Sequence, residues 1–468
     1  EGRLTFVDRH KEYVRLAGGL DADNHLSREA IERALACLSR FGERLNELGP
    51  SQVRIVGTNT LRKARNSVEL LEPAEAVLGH RIDIISGLEE ARLVYKGVCC
   101  DFDRSGSRLV VDIGGGSTEL ILGSNREPDT LDSLYMGCVS WTQRFFPDGL
   151  ITKKAQHQAF MAARRELGSS MRRYRGQFQF AVGSSGTINA IERCLIQSGM
   201  SPDGITPAAL GALEARLRDF GCNESIKLPG ISPDRSQVLP GGLAVLQAVV
   251  HTLQVEQMIA STTALREGIL VDLIGRTQTG DVRSRTVSRL VDRFQVDTHH
   301  ASRVRDTALM LYDQVADEWD LHDPELRLLL EWAAEVHEIG LFMGYSGHHK
   351  HGSYVLAHAD LAGFSRQEQR ALAALVLGHR GRFSADRLEQ LRPRRHIPYR
   401  LISILRVAVR LHRRRSSKPL PPIQTAVDGQ ALRLTFPDGW LAERPLTATD
   451  LELERERCKA VGLELDFQ

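Results

Sequence analysis

The stretch LVVDIGGGSTELILG, residues 109 to 123, constrains the fold more than any other part of this chain. Two apolar runs are joined by three consecutive glycines and a Ser-Thr pair, which predicts two strands in a tight hairpin. Gly114, Gly115 and Gly116 carry no Cβ, so their amides can come close to a ligand and point at it together, as loops that hold phosphate do. Ser117 and Thr118 add hydroxyls. Asp112 ends the incoming strand and Glu119 opens the outgoing one, so a carboxylate flanks each side of the loop. Mg2+ prefers one or two carboxylates together with waters and substrate phosphates, and this pair suits it. The alternative is a solvated hairpin rim, which an acid at the end of an apolar strand disfavours. Neither a Rossmann fingerprint nor a Walker loop fits these residues.

The sequence around this hairpin alternates strand and helix. SQVRIVGT is a β-rich run followed by the helical NTLRKARNSVELLEPAEAVL, and HRIDIIS is a strand followed by LEEARLVYKGV. FQFAVGSSGTINAIERCLI gives a strand, a second Gly-Ser loop and a helix. Such alternation predicts a parallel or mixed sheet with helices packed on it, an α/β class. Thr58 and Arg62 fall at one strand-to-helix junction, and Ser185, Gly186 and Thr187 open a helix at another, where an anion meets amides and a guanidinium. From about Ser284 the apolar residues recur at threes and fours, predicting helices, and QALRLTFPDGWL predicts a few closing strands.

In SGLEEARL, Ser86 and Glu89 have capping-box spacing and are expected to be occupied with the helix start. Glu90 lies about 100° further round the helix and is free of that task. Spacing alone leaves two roles open for it: an acid favourably placed in the first helical turn, or a carboxylate that orients an attacking water and takes its proton.

Composition bounds the rest. Apolar and charged fractions of 42% and 26% are ordinary for a folded globular chain, and 468 residues suffice for about three domains. No apolar run is long enough to span a membrane, the N-terminus does not read as a signal peptide, and a cytoplasmic protein is expected. Seven scattered cysteines without a C-x-x-C pair are expected to be reduced thiols. Net charge is only +2, yet Arg380 to Lys418 holds twelve Arg and one Lys against Asp386 and Glu389, which predicts a polyanion or a membrane surface as partner. A specific nucleic-acid reader is not expected, because no aromatics interleave with that charge. A kinase would need acceptor-site residues, and none can be named. His300, VHEIG at His337 and Glu338, and GHHKHGSYVL resemble the histidine-rich pattern of HD metal phosphohydrolases. Glutamate stands where aspartate is usual, and a metal-free HD-like helical domain is expected.

Taken together, IVGTNTLRKA, IISGLEEARLVYKGV, VVDIGGGSTELILG, MGCVSW, VGSSGTINA, STTALREGIL and DVRSRT resemble the exopolyphosphatase and guanosine pentaphosphate phosphohydrolase family, in order and nearly end to end. The resemblance implies two actin-like (ribonuclease H-like) domains, 1–93 and 94–275, then an all-α HD-like domain, 276–415, and a small C-terminal α+β module, 416–468. It implies Mg2+-dependent hydrolysis of the terminal phosphoanhydride of inorganic polyphosphate or of pppGpp. Glu90 then corresponds to the catalytic glutamate, and Asp112 and Glu119 to the acidic pair beside the phosphate loop. A first phosphate loop expected upstream of Glu1 has no match, so the chain reads as N-terminally incomplete. Gly116, where the pentaphosphate branch tends to have Ala, and the arginine segment favour exopolyphosphatase, with Arg392, Arg394, Arg395, Arg406, Arg413, Arg414 and Arg415 as the polymer track. A homodimer and a peripheral contact with the cell membrane are further expectations.

Overall fold

The computed structural model describes residues 10–102, 105–168, 170–277, 280–384 and 397–468, and the chain divides into two compact units, Glu1–Gly280 and Asp281–Gln468. The first unit is built on a five-stranded sheet of order β5-β4-β3-β6-β7. Its strands are β3 (Ser107–Ile113), β4 (Thr118–Ser124), β5 (Glu127–Leu134), β6 (Phe180–Ser184) and β7 (Met258–Ala260). The expected hairpin is β3 and β4, which pair antiparallel from Ser107 with Ser124 to Ile113 with Thr118. β6 and β7 add in parallel.

β3 is buried along nearly its whole length because both faces of the sheet are covered. Leu109, Val111 and Ile113 join one core with Leu120 of β4 and the helices Ser185–Gln197 and Leu239–Leu253. Val110 joins a second core on the opposite face, with Ile121, Val182, and Ala91, Val94, Tyr95 and Val98 of the helix Gly87–Asp101. Strand alternation therefore turns Asp112 and Glu119 toward the face that this helix covers. The helix packs closely on the helix Leu265–Thr277: a Cβ at Gly97 would lie 1.8 Å from the Ala264 carbonyl oxygen, and one at Gly268 equally close to that of Leu93.

A two-stranded parallel sheet, β1 (Ile55–Gly57) with β2 (Ile82–Ile84), packs with the helices Arg28–Leu45 and Ser67–Leu78. The single helix expected after β1 is two, Asn59–Lys63 and Ser67–Leu78. The break has a cause in tertiary contact. The Asn66 side chain accepts from the Leu26 amide (2.8 Å) and donates to the Leu26 carbonyl (3.1 Å), and the Arg65 amide donates to Asn24.

In the second unit, the helices Val282–Arg293, Thr298–Val315, Pro324–Val336, His348–His358, Arg366–Gly378 and Ile397–Leu411 surround one apolar core. β8 (Gln424–Asp428) and β9 (Ala431–Thr435) form a hairpin turned at Gly429, whose φ of 59° suits glycine. β10 (Glu464–Phe467) returns parallel to β9 after the helix Pro445–Lys459. No described helix is long and apolar enough to cross a membrane, and all seven cysteines are free thiols.

Candidate active site

Register brings the site together. Asp112 at the end of β3 pairs with Glu119 across the hairpin and with Ser184 of β6 on its other side. The loop Gly114 to Ser117 and the loop opening at Ser185 therefore leave the same end of the sheet, after the last residues of the parallel strands β3 and β6. Glu90 stands in the first turn of Gly87–Asp101, one helical turn before Val94 of the core on that face. That turn approaches the sheet because residue 87 has no side chain: a Cβ there would meet the Ser133 hydroxyl at 2.4 Å. The Ser133 hydroxyl in turn donates to Glu119 Oε1 at 2.9 Å.

Three buried carboxylates thus face one another. Burial pushes Asp112 up to about 7, and the charge of Glu90 adds to the shift. Glu119 is raised well above the usual carboxylate range, by burial first and then by Glu90 and Asp112, against the Ser133 and Ser117 hydroxyls. Burial raises Glu90 too, opposed by the Arg62 guanidinium. The Arg62 Nη1 donates to Glu90 Oε2 at 2.7 Å and to the Ile85 carbonyl at 2.9 Å. Arg62, expected to meet an anion, is thus held by Glu90. Among the described residues, Glu90 Oε1 has no donor, and Asp112 Oδ1 is buried without a partner.

The Ser86 hydroxyl accepts from the Glu89 amide, as capping requires. The Glu89 carboxylate, however, grips the Arg92 guanidinium at 2.6 and 2.7 Å, and Arg92 reaches Asp272 as well. Glu90 is free of the cap, as expected.

The loop is held from behind. The Gly114 amide donates to the Ser117 carbonyl, while the amides of Cys138, Val139 and Ser140 donate to the carbonyls of Gly114 and Gly115. The amides of Gly115, Gly116 and Ser117 have no acceptor among the described residues, which leaves three donors for an anion. None of the three glycines has positive φ; space explains them better, at least at Gly116, where a Cβ would lie 3.1 Å from the Asn59 side chain. Gly137 supports the loop from below, since a Cβ there would stand 2.5 Å from the Gly115 and Gly116 backbone.

Thr118 corrects an expectation. It is fully buried and its hydroxyl donates to the Met136 carbonyl, so it closes the hairpin and offers nothing to a ligand. Thr58 precedes the Asn59–Lys63 helix without capping it. Ser185 holds a φ of 92°, a strained conformation for a residue with a side chain, and Gly186 beside it is exposed. Thr187 is buried.

Sequence reasoning missed three residues here. Arg235 brings its guanidinium against Gly186, where a Cβ would lie 2.0 Å from Nη2. Asn59 turns its amide toward Gly116, with a buried Nδ2 that lacks a partner. Ser133 orients Glu119. No local pattern marks any of them, although Asn59 lies inside IVGTNTLRKA and Ser133 lies three residues before MGCVSW.

The arginine segment differs most from expectation. Arg406 is no surface residue: it is completely buried, donating to Glu454 Oε2 at 2.6 Å and to the carbonyls of Gly378 and Gly381. Arg413 pairs with Asp450, and Arg415 with Asp297 and Glu338. Arg414 is exposed. Arg392, Arg394 and Arg395 lie outside the described residues. In the same unit His300, His337, His348, His349 and His379 are all buried, and burial pushes His337 down to about 4 and His379 well below the ordinary histidine range.

Comparison with known proteins bears on this geometry. The sequence profile of the Ppx/GppA phosphatase family matches residues 1–277, and that of Ppx/GppA phosphatase domain III matches residues 282–455. The chain is 40% identical over 465 residues to the guanosine-5'-triphosphate,3'-diphosphate pyrophosphatase of Aeromonas hydrophila, covering 98% of this chain and 93% of that one. It is 37% identical over 471 residues to the protein of the same name from Vibrio vulnificus, covering 99% and 93%. Among solved structures, an exopolyphosphatase-like protein matches at 25% identity and a TM-score of 0.50, over 56% of this chain and 87% of that one. An exopolyphosphatase from Cytophaga hutchinsonii shares the fold at a TM-score of 0.50 and 21% identity, over 57% and 89%. The mixed α/β architecture is consistent with a two-domain actin-like fold.

Proposed function

Because the chain belongs to the Ppx/GppA phosphatase family, a family of hydrolases acting on phosphoanhydride bonds, we propose that its substrate is pppGpp, from which it releases the terminal 5'-phosphate. The observation that carries the chemistry is the meeting of three buried carboxylates with a loop of three unpartnered amides. Relatives of nearly equal length that bear the pyrophosphatase name support this substrate.

In this reading, the amides of Gly115, Gly116 and Ser117 bind oxygens of the terminal phosphate. Arg235 and the helix start at Ser185 to Thr187 serve the remaining phosphate charge. A water lies against Glu90 Oε1. Its oxygen attacks the terminal phosphorus, its proton passes to Glu90, and the bond to the bridging oxygen breaks, giving orthophosphate and ppGpp. Burial makes Glu90 a stronger base than an ordinary carboxylate, and Arg62 keeps it ionised and oriented.

The donor set fits Mg2+. Asp112 and Glu119 present hard carboxylate oxygens, and the orphaned Asp112 Oδ1 is an acceptor that calls for a cation or a water. These two residues would hold the ion, which when bound neutralises charge on the transferred phosphate.

Inorganic polyphosphate, expected first from Gly116 and the arginine segment, takes second place, since Arg406 is buried and Arg413 and Arg415 are ion-paired. Orthophosphate release from pppGpp and from long polyphosphate, assayed side by side with and without Mg2+, tests the assignment. Faster Mg2+-dependent release from pppGpp is expected. Release from polyphosphate alone would overturn it.

A further inference from the structure

The second unit gathers five buried histidines from separate segments: His300 near the start of Thr298–Val315, His337 after Pro324–Val336, His348 and His349 opening His348–His358, and His379 after Arg366–Gly378. The His337 ring lies 5.7 Å from that of His300 and 5.3 Å from that of His379, and His379 lies 5.5 Å from His348. Burying so many polar rings together is costly unless their nitrogens find partners.

Three of them meet a backbone carbonyl through the same ring nitrogen. His337 Nδ1 is 2.7 Å from the Ala334 carbonyl, His379 Nδ1 is 2.6 Å from the Val376 carbonyl, and His348 Nδ1 is 3.2 Å from the Tyr345 carbonyl. A carbonyl only accepts, so in the His337 and His379 contacts Nδ1 holds the hydrogen and Nε2 carries the lone pair, whereas His348 Nδ1 also lies 3.5 Å from the Arg380 guanidinium, which can only donate. The Nε2 atoms of His337 and His379 are buried without any partner. A backbone carbonyl on one ring nitrogen and an open lone pair on the other is the arrangement that orients metal-ligating imidazoles.

Among the described residues, His300, His337 and Glu338 are the one set of three candidate ligands whose donor atoms all lie within 4.8 Å of one another. His300 Nε2 is 4.0 Å from Glu338 Oε1. We propose that His300, His337 and Glu338 form a site for a divalent transition ion of the Zn2+ class, with His348 and His379 adjoining it. Ligands about 2.1 Å from a tetrahedral ion stand about 3.4 Å apart, so small side-chain rotations close the site. Two imidazoles with one carboxylate favour Zn2+ or Co2+ over Mg2+ or Ca2+, which seek oxygen.

Arg415 is the competitor. Its guanidinium spans both oxygens of Glu338 at 2.6 and 2.7 Å and reaches Asp297 at 3.0 Å, so the ion must take one Glu338 oxygen from it. Metal and guanidinium thus compete for one carboxylate.

The full chain, stripped with chelator and titrated with Co2+, tests the site through the visible absorption of the bound ion, Zn2+ displacement and the melting temperature. With Mg2+ in excess to hold the Asp112 and Glu119 site, saturable uptake of one Co2+, displaced by Zn2+ and accompanied by a rise in melting temperature, is expected. Glu338→Gln, at a partly exposed position that keeps an acceptor for Arg415, weakens uptake at least about tenfold, as does His300→Gln. Arg415→Gln tightens it. No saturable uptake by the unaltered chain, or uptake indifferent to both ligand substitutions, would overturn the proposal and leave Arg415 as the cation that the cluster keeps.

Discussion

Asp112→Asn probes the carboxylate cluster where it costs most, in the protein without ligand or metal at mildly alkaline pH. Burial, with the charge of Glu90, pushes the Asp112 carboxyl up to about 7, against about 3.9 for an aspartate in an unfolded chain. Between those values the folded protein keeps a proton that the unfolded chain has released. Stability therefore falls as pH rises through this window and levels off above about 7. Three pH units at about 1.4 kcal/mol each set an upper bound of about 4 kcal/mol. Asparagine escapes this penalty and spares Glu119 a repulsive neighbour. Against the gain stands a new buried amide, whose unpaired donor would cost about 1–3 kcal/mol, less if Glu119 across the hairpin accepts from it. Glu90, Glu119, Arg62, Ser117 and Ser133 surround the site and are unchanged in both proteins. The variant is expected to be more stable than the parent by about 1–3 kcal/mol at pH 8 and to lose that advantage at pH 5. Hydrogen exchange of the β3 amides in chelator, with melting curves at both pH values, reads the difference locally and globally. Activity and its response to Mg2+ should fall in the same protein. A stability difference that does not change between pH 5 and 8 would refute the reasoning.

Three further outcomes follow from the same geometry. Glu90→Gln should lower turnover at least about a hundredfold with little change in KM, and because Glu90 helps to raise Asp112, the acid limb of any residual activity should move to lower pH; near-normal turnover would remove Glu90 from the chemistry. Gly115→Val adds a Cβ whose nearest neighbour, Val139 Cγ2, is 3.5 Å away, so the melting temperature should hold while orthophosphate and substrate affinities fall; unchanged KM would count against the loop as the phosphate cradle. Arg235→Gln should raise KM for pppGpp about tenfold or more with little loss of stability, the scale of one charge-assisted hydrogen bond, and an effect on turnover alone would argue that Arg235 acts otherwise.

The hairpin and its acids were legible because they rest on local rules. Alternation along β3 and β4 fixes which residues share a face, three glycines between apolar runs allow only a tight loop, and helical spacing separates Glu90 from the cap. The helix break at Asn66 was not legible, since nothing near Asn66 announces that its side chain will bond Leu26, forty residues earlier in the chain. In the arginine segment, charge density is no guide to exposure. Arg406 lies among Ile402, Leu405 and Val409 in sequence, a spacing that already favours the inside of the helix, but only its tertiary contacts with Glu454 and the Gly378 and Gly381 carbonyls make its burial affordable.

By itself, then, the sequence determined the alternation of strand and helix, the glycine-loop hairpin and the face on which its two acids stand, because these depend on backbone sterics and periodicity over a few residues. Tertiary structure alone decided which charges meet. Arg62 with Glu90, Arg235 with Gly186, Asn59 with Gly116, and Glu338 between His300 and Arg415 each join segments well separated along the chain. Electrostatic energy depends on distance through space and on the water excluded around it, and neither is written in the local order of residues.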